Sequence, residues 1–313
     1  MQEEKSRPRF IRYFIAPDEF RLRAGWRLLL HSVLLIFGFM LFGSIVYISM
    51  LVFGLSTDEF FNETSPLLNV IITLPSFTLI TFIVRRVIDR RSITSLGFDI
   101  DRKTILDLLV GFAIPGLLMG AIFLFELGVG WLEVIDYAWE VAPVDGWIPD
   151  LIFWLFIYSA VGFQEELLSR GYHLQNIVDG LNLPLGILIS SLIFAILHLG
   201  NPFASLTSFI GLLAAGYFLA FAWVRTRKLW LPIGLHIGWN FFEGNIFGFP
   251  VSGTDTFKLI QHQVSGPTLI TGGEFGPEAG LIVLPALLIG SALIYLYTKN
   301  DDDAKTGEEG EFS

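Results

Sequence analysis

Eight stretches of this chain are apolar over roughly the 20 residues that a helix needs to cross a bilayer. They fall at 28–54, 67–84, 104–128, 149–168, 184–200, 203–224, 229–247 and 280–298. Composition agrees. Hydrophobic residues make up 53% of the 313 and charged residues 16%, where soluble domains carry about 25%. Mean hydropathy is +0.63 and Phe alone occurs 30 times. A soluble fold could not hide that much apolar surface. The expected fold class is therefore all-α, a polytopic transmembrane helix bundle of about eight spans. Pro184 opens the fifth span as a good first-turn residue, and Pro115 is tolerable inside a packed third span.

Basic residues in short loops set the orientation. Lys5, Arg7, Arg9, Arg12, Arg21, Arg23 and Arg27 precede the first span, RRVIDRRSITSLGFDIDRK follows the second, and RTRK follows the sixth. STDEFFNETSP after the first span and GVGWLEVIDYAWEVAPVDGWIPD after the third contain no Lys or Arg. The alternation places both termini in the cytoplasm, with plasma membrane as the expected location, and puts the Gly- and Pro-rich segment 248–279 outside. The N-terminus does not read as a signal peptide, because the apolar run after it is too long. Cys is absent, which removes disulfides, thiolate metal sites and a Cys nucleophile. The net charge of −10 comes with no basic stripe for nucleic acid. The acidic end, DDDAKTGEEGEFS, reads as a disordered tail.

Three passages bring chemistry into these spans. In FQEELLSRG, after an uncharged run, Glu166 and Arg170 are spaced i,i+4 with the acid first, the better order for an ion pair. Glu165 lies about 100° round the helix and has no obvious partner. An unpaired carboxylate beside a desolvated core is a candidate general base, although a helix end meeting water or headgroups would also account for it. In SSLIFAILHLGNP, His198 sits just before the helix-breaking Gly200-Asn201-Pro202, with Phe194 on the same face. A lone His of this kind can equally be a packing residue. In LWLPIGLHIGWNFFEGN, His236 and Asn240 share a face, and Gly234 and Gly238 would admit a neighbouring helix or a substrate backbone. Trp230 and Trp239 read as packing residues, and Glu243 lies nearer the outer surface without an assigned role. A Glu and two His can hold or activate a water, and an Asn amide can donate to a developing oxyanion. HExxH, GxSxG and GxGD motifs are absent.

In order, EELLSR, FAILH and HIGWN match EExxxR, FxxxH and HxxxN. This pattern resembles the CAAX protease and bacteriocin-processing family, also called the Abi family, over about residues 90–250, with RRSITSLGF as the lead-in. The resemblance implies an intramembrane endopeptidase acting on a lipidated or membrane-associated protein or peptide within the bilayer. It implies Glu165 as the base that activates water, Glu166 and Arg170 as its supporting pair, His198 and His236 holding the water, and Asn240 stabilising the oxyanion. It favours a metal-independent glutamate mechanism, but Glu165, His198 and His236 would also suit zinc. Ser169 stands where Phe is common, and His173, which could share a face with Arg170, reads as a loop or interface residue. The same polar cluster could instead bind a partner in a non-proteolytic immunity, scaffold or transport-related protein.

The chain thus divides into a basic arm (1–27), N-terminal helices outside the resemblance (28–89), a protease-like core (90–250), an outer loop with the last span (251–298) and the acidic tail (299–313). One difficulty attends the core. If the fourth span ends near 168 and the fifth starts near 184, Glu165 and His198 fall at different depths. The fourth helix must then extend well past Arg170, or the fifth must tilt.

Overall fold

A computed structural model describes residues 13–16, 21–57 and 66–310, with side chains described as far as Asn300. Part of the basic arm, most of the loop after the first span and the last three residues lie outside this range. The chain forms α1 (Ala24–Val52), α2 (Pro66–Ile83) with a π turn over Val84–Ile88, and α3 (Thr104–Gly128). After strand β1 (Leu132–Tyr137) come α4 (Val144–Glu166), a π segment (Leu167–Leu174) and α5 (Gln175–Gly180). Then follow α6 (Leu183–Leu197), α7 (Leu206–Thr226), α8 (Trp230–Asn240), β2 (Ile260–Val264) and α9 (Val283–Gly310). Seven of the helical stretches are long and apolar enough to cross a membrane. The chain is an integral membrane protein.

The expected span over 229–247 differs from the others. It is the eleven-residue α8 followed by a six-residue π turn, Phe241–Ile246. Its burial gives the reason. Leu231 and Leu235 are fully buried, and Ile233, His236, Trp239 and Asn240 nearly so. A helix surrounded by protein need not present a lipid face, so its sequence is free to carry Gly, His and Asn. Packing, rather than exclusion of water, holds such helices together in lipid.

Glycine sets how deep α8 sits. A Cβ on Gly111 of α3 would come within 2.5 Å of the Leu231 carbonyl oxygen and 3.0 Å of the Gly234 Cα. A Cβ on Gly234 or Gly238 would strike the carbonyls of Leu108 and Phe112. The two backbones therefore touch, and the close neighbour left open by the sequence is α3, not a substrate. Leu118 and Met119 of α3, Phe218 and Ala222 of α7, and Leu287 of α9 fill the core around this contact.

The difficulty over depth resolves through the first of its two routes. The helix begun by α4 does not stop near 168. It runs through the π segment and α5 to Gly180, a 37-residue helical stretch. Asn182 then caps α6, its side-chain oxygen accepting from the Leu185 N–H at 3.0 Å, with Pro184 in the first turn. Glu165 and His198 thus stand on the two arms of one hairpin, at similar distances from its closed end.

That closed end is stapled by two charge clusters, one buried around Asp89 and one solvent-accessible around Asp179. Asp89 pairs with Arg85 at 3.2 Å and Arg27 at 3.8 Å and accepts from the Tyr172 hydroxyl at 3.3 Å. Asp179 pairs with Arg21 at 3.1 Å and Arg91 at 3.2 Å. Basic residues that marked topology in the sequence thus tie α1 and α2 to the hairpin. At the opposite end the fold departs from all-α. β1 and β2 form an antiparallel ribbon, Leu132 opposite Val264 and Tyr137 opposite Ile260, with an irregularity between Val134 and Asp136. Both strands come from segments read as outer loops.

Candidate active site

A cavity of about 680 Å³ is lined by residues of α2, α4, α6, α7 and α8 and of the segment after α8. Glu165, His198, His236 and Asn240 all line it. Glu166 and Arg170 stand behind it, 0% and 1% exposed. The six expected residues are thus brought together, four at the surface of the cavity and two as their support.

The support is a buried chain of charge-assisted bonds. Arg170 Nη1 donates to Glu166 Oε1 at 2.7 Å, and Nη2 donates to the Gly216 carbonyl at 2.9 Å. The guanidinium also lies over the Phe194 ring, 4.8 Å from its centroid. Glu166 Oε1 in turn accepts from His236 Nδ1 at 2.8 Å. Sequence spacing pointed to the first of these bonds and gave no hint of the last, which joins helices far apart in the chain.

Both histidines are held by one nitrogen and present the other. His198 Nδ1 donates to the Phe194 carbonyl at 2.8 Å. Since each Nδ1 faces an oxygen acceptor, it carries the hydrogen, and in the neutral tautomer Nε2 holds the lone pair. Each Nε2 lies 3.8 Å from Glu165 Oε2. Such a gap is too long for a direct hydrogen bond and suits a shared small molecule such as water. Glu165 itself keeps 27% of its side chain exposed, the most accessible charge of the cluster.

The same three atoms have the donor chemistry of a zinc site. A tetrahedral zinc with bonds of about 2.0–2.1 Å would hold its ligand atoms roughly 3.4 Å apart. The separations of 3.8 Å are wider, and among the described residues no three such side chains are grouped closely enough to hold a metal ion. As placed, the residues do not fit a bound metal.

Asn240 is 7% exposed and one helical turn beyond His236. Trp239 beside it packs on Phe218, in keeping with its expected role. Trp230 donates its indole N–H to the Asp99 carbonyl at 2.8 Å. His173 is buried against the His31 ring, 5.9 Å between centroids, and does not line the cavity. Glu243, three residues past Asn240 and without an assigned role, is fully buried.

Two cavity residues were invisible in the sequence. Glu278, from the segment before α9, is 5% exposed and accepts from Ser252 N–H at 3.0 Å and from its hydroxyl at 2.5 Å. Both belong to the Gly- and Pro-rich stretch, whose irregular path no periodicity reveals.

Residues 147–242 match the family described as type II CAAX prenyl endopeptidase Rce1-like. The likeness is to the Rce1-like endopeptidases. The matched stretch runs from α4 to the turn after α8 and contains Glu165, Glu166, Arg170, His198, His236 and Asn240, but not Ser252 or Glu278. The Bacillus subtilis protein named "Putative membrane peptidase YdiL" is 26% identical over 226 residues, covering 71% of this chain and 86% of that one. No solved structure matches. At the level of family, the Rce1-like match supports a CAAX-type membrane peptidase with a peptide or protein substrate in the membrane.

Proposed function

We propose that the protein is an intramembrane endopeptidase that hydrolyses a peptide bond with water activated by Glu165. The observation that carries this reading is the pair of 3.8 Å separations from Glu165 Oε2 to His198 Nε2 and His236 Nε2. A water between them can donate to two of these acceptors and direct a lone pair at a carbonyl carbon. Glu165 takes one proton as the oxygen attacks. The oxyanion then accepts a hydrogen bond from Asn240 Nδ2. Glu165 returns its proton to the amide nitrogen as the C–N bond breaks, so that water is added across that bond. Glu166 and Arg170 hold the His236 ring in the tautomer this requires. The substrate is a lipidated or membrane-associated protein or peptide, and the enzyme acts in the plasma membrane with both termini in the cytoplasm.

The test is Glu165→Gln in the full-length protein, purified in detergent and assayed on membrane-anchored peptides. Cleavage is expected to fall by about 10²–10⁴ while the thermal unfolding midpoint holds. Retained cleavage would sink the mechanism, and no cleavage of any membrane peptide by the parent chain would favour a binding role for the cluster.

A further inference from the structure

Glu278 contributes a further carboxylate to the cavity, from outside the stretch that carries the motifs. The cavity walls hold three acids, Glu165, Asp255 and Glu278, and among the described lining residues no Lys or Arg. Arg170 does not compensate, being buried behind the wall and paired with Glu166. Asp255 stands at the exposed mouth beside Thr254 and Asn69 and pairs with Lys258 at 2.6 Å. Glu278 is different. It is nearly sealed from solvent, its carboxylate accepts from the Ser252 N–H and hydroxyl, its backbone N–H bonds the buried Glu243 carboxylate, and no Lys or Arg pairs with it among the described residues. Burial raises its carboxyl above the ordinary range, while the Ser252 hydrogen bonds and the nearby His198 and His236 act the other way.

This arrangement bears on which peptides fit. A substrate ending three residues past the scissile bond carries its terminal carboxylate about 10 Å from the reacting carbonyl. Within a cavity of this size that group would leave water and meet acids of its own sign, with no cation to receive it. A Lys or Arg side chain would gain a charged partner already aligned by Ser252. Resting on the peptidase reading, we infer that Glu278 is a specificity-determining residue of this site. It favours a peptide that presents a basic side chain inside the cavity and disfavours one that ends there in a free carboxylate.

The experiment uses N-terminally acylated fluorogenic peptides, which carry no free α-ammonium. They are identical except for Lys, Gln or Glu at each of three positions past the cleaved bond, each made as free acid and as amide. Wild-type kcat/KM should favour Lys over Glu at one position by about tenfold or more, as expected for one charge-assisted contact, and amide over acid. Glu278→Gln should bring the Lys-to-Glu ratio to within about twofold, and Glu278→Asp should restore its direction. Dissociation constants for the same peptides on the Glu165→Gln protein give the preference without turnover. Equal handling of all peptides, or preference for Glu or the free acid, overturns the inference even if cleavage is robust. A wild-type chain that cleaves none of them counts against the peptidase reading, while the binding series still decides the charge preference. The wild-type ratio stands alone if Glu278→Gln does not fold.

Discussion

His236 Nδ1 donates to Glu166 Oε1 across 2.8 Å of buried protein, and the same oxygen receives Arg170 Nη1 at 2.7 Å. One carboxylate oxygen therefore neutralises an intramembrane guanidinium and orients a histidine of the cavity. The two tasks can be separated. Glu166→Gln alone leaves Arg170 buried and unpaired, and should cost about 3–5 kcal/mol. The double variant Glu166→Gln/Arg170→Gln removes both charges and should regain much of that stability. Cleavage should not return with it, because His236 has lost its anionic acceptor. Thermal unfolding in detergent, read beside peptide turnover, checks both halves. Recovery of activity in the double variant would show that His236 needs no such orientation.

Asn240 reaches the cavity one turn past His236 and carries the proposed oxyanion contact. Asn240→Ala should lower kcat by about 10²–10³ with little change in KM, since the contact forms only as charge develops. Steady-state kinetics on a single peptide suffice. A change confined to KM would make Asn240 a binding residue instead.

The depth of α8 rests on bare backbone. Gly111→Ala should displace α8 or α3, costing about 1–3 kcal/mol or more. Cleavage should fall as well, although Gly111 touches no substrate, because His236 and Asn240 move with the helix. Ala at Gly130, where no atom lies within 4 Å but φ is +74°, provides a contrast. There strain should lower stability modestly and leave turnover intact. Melting midpoints and rates for the two variants decide between them.

His262 in β2 stands against Phe249, 4.7 Å between ring centroids, and Phe123 at 6.0 Å. Burial, with Lys258 nearby, lowers its pKa to about 4. A folded-state value below the unfolded one contributes stability that is present above about pH 6.5 and lost as pH falls through about 4. The ribbon end should therefore loosen over that interval. His262→Phe should flatten this part of the curve, as hydrogen exchange of the strands at pH 7, 5 and 4 would reveal. An unchanged acid limb would acquit His262.

Much of this was legible from residue types and spacing. The apolar runs announced the helices, the i,i+4 separation of Glu166 and Arg170 announced their pair, and Glu165, left over, is the one of the two adjacent glutamates that reaches the cavity. What escaped has physical reasons. The stretch 229–247 is helical over Trp230–Ile246 as expected, but its enclosure was not foreseen, because hydropathy measures compatibility with lipid and cannot register burial by other helices. β1 and β2 are short strands paired across more than a hundred residues, and LEVIDY was read as loop for want of its partner. The bond from Glu166 to His236 and the placing of Glu278 beside the histidines are products of tertiary packing alone.

Asn182 closes a hairpin whose two arms are close to equal. Glu165 lies fifteen residues before Gly180, and His198 lies fifteen after Leu183 at the end of α6. Depth at the site is thus encoded as a count. One residue inserted into α6 would keep every motif and the overall hydropathy. It would nonetheless turn His198 by about 100° and shift it by about 1.5 Å along the helix, away from Glu165. Evolution can rewrite the letters of that arm far more freely than it can change their number.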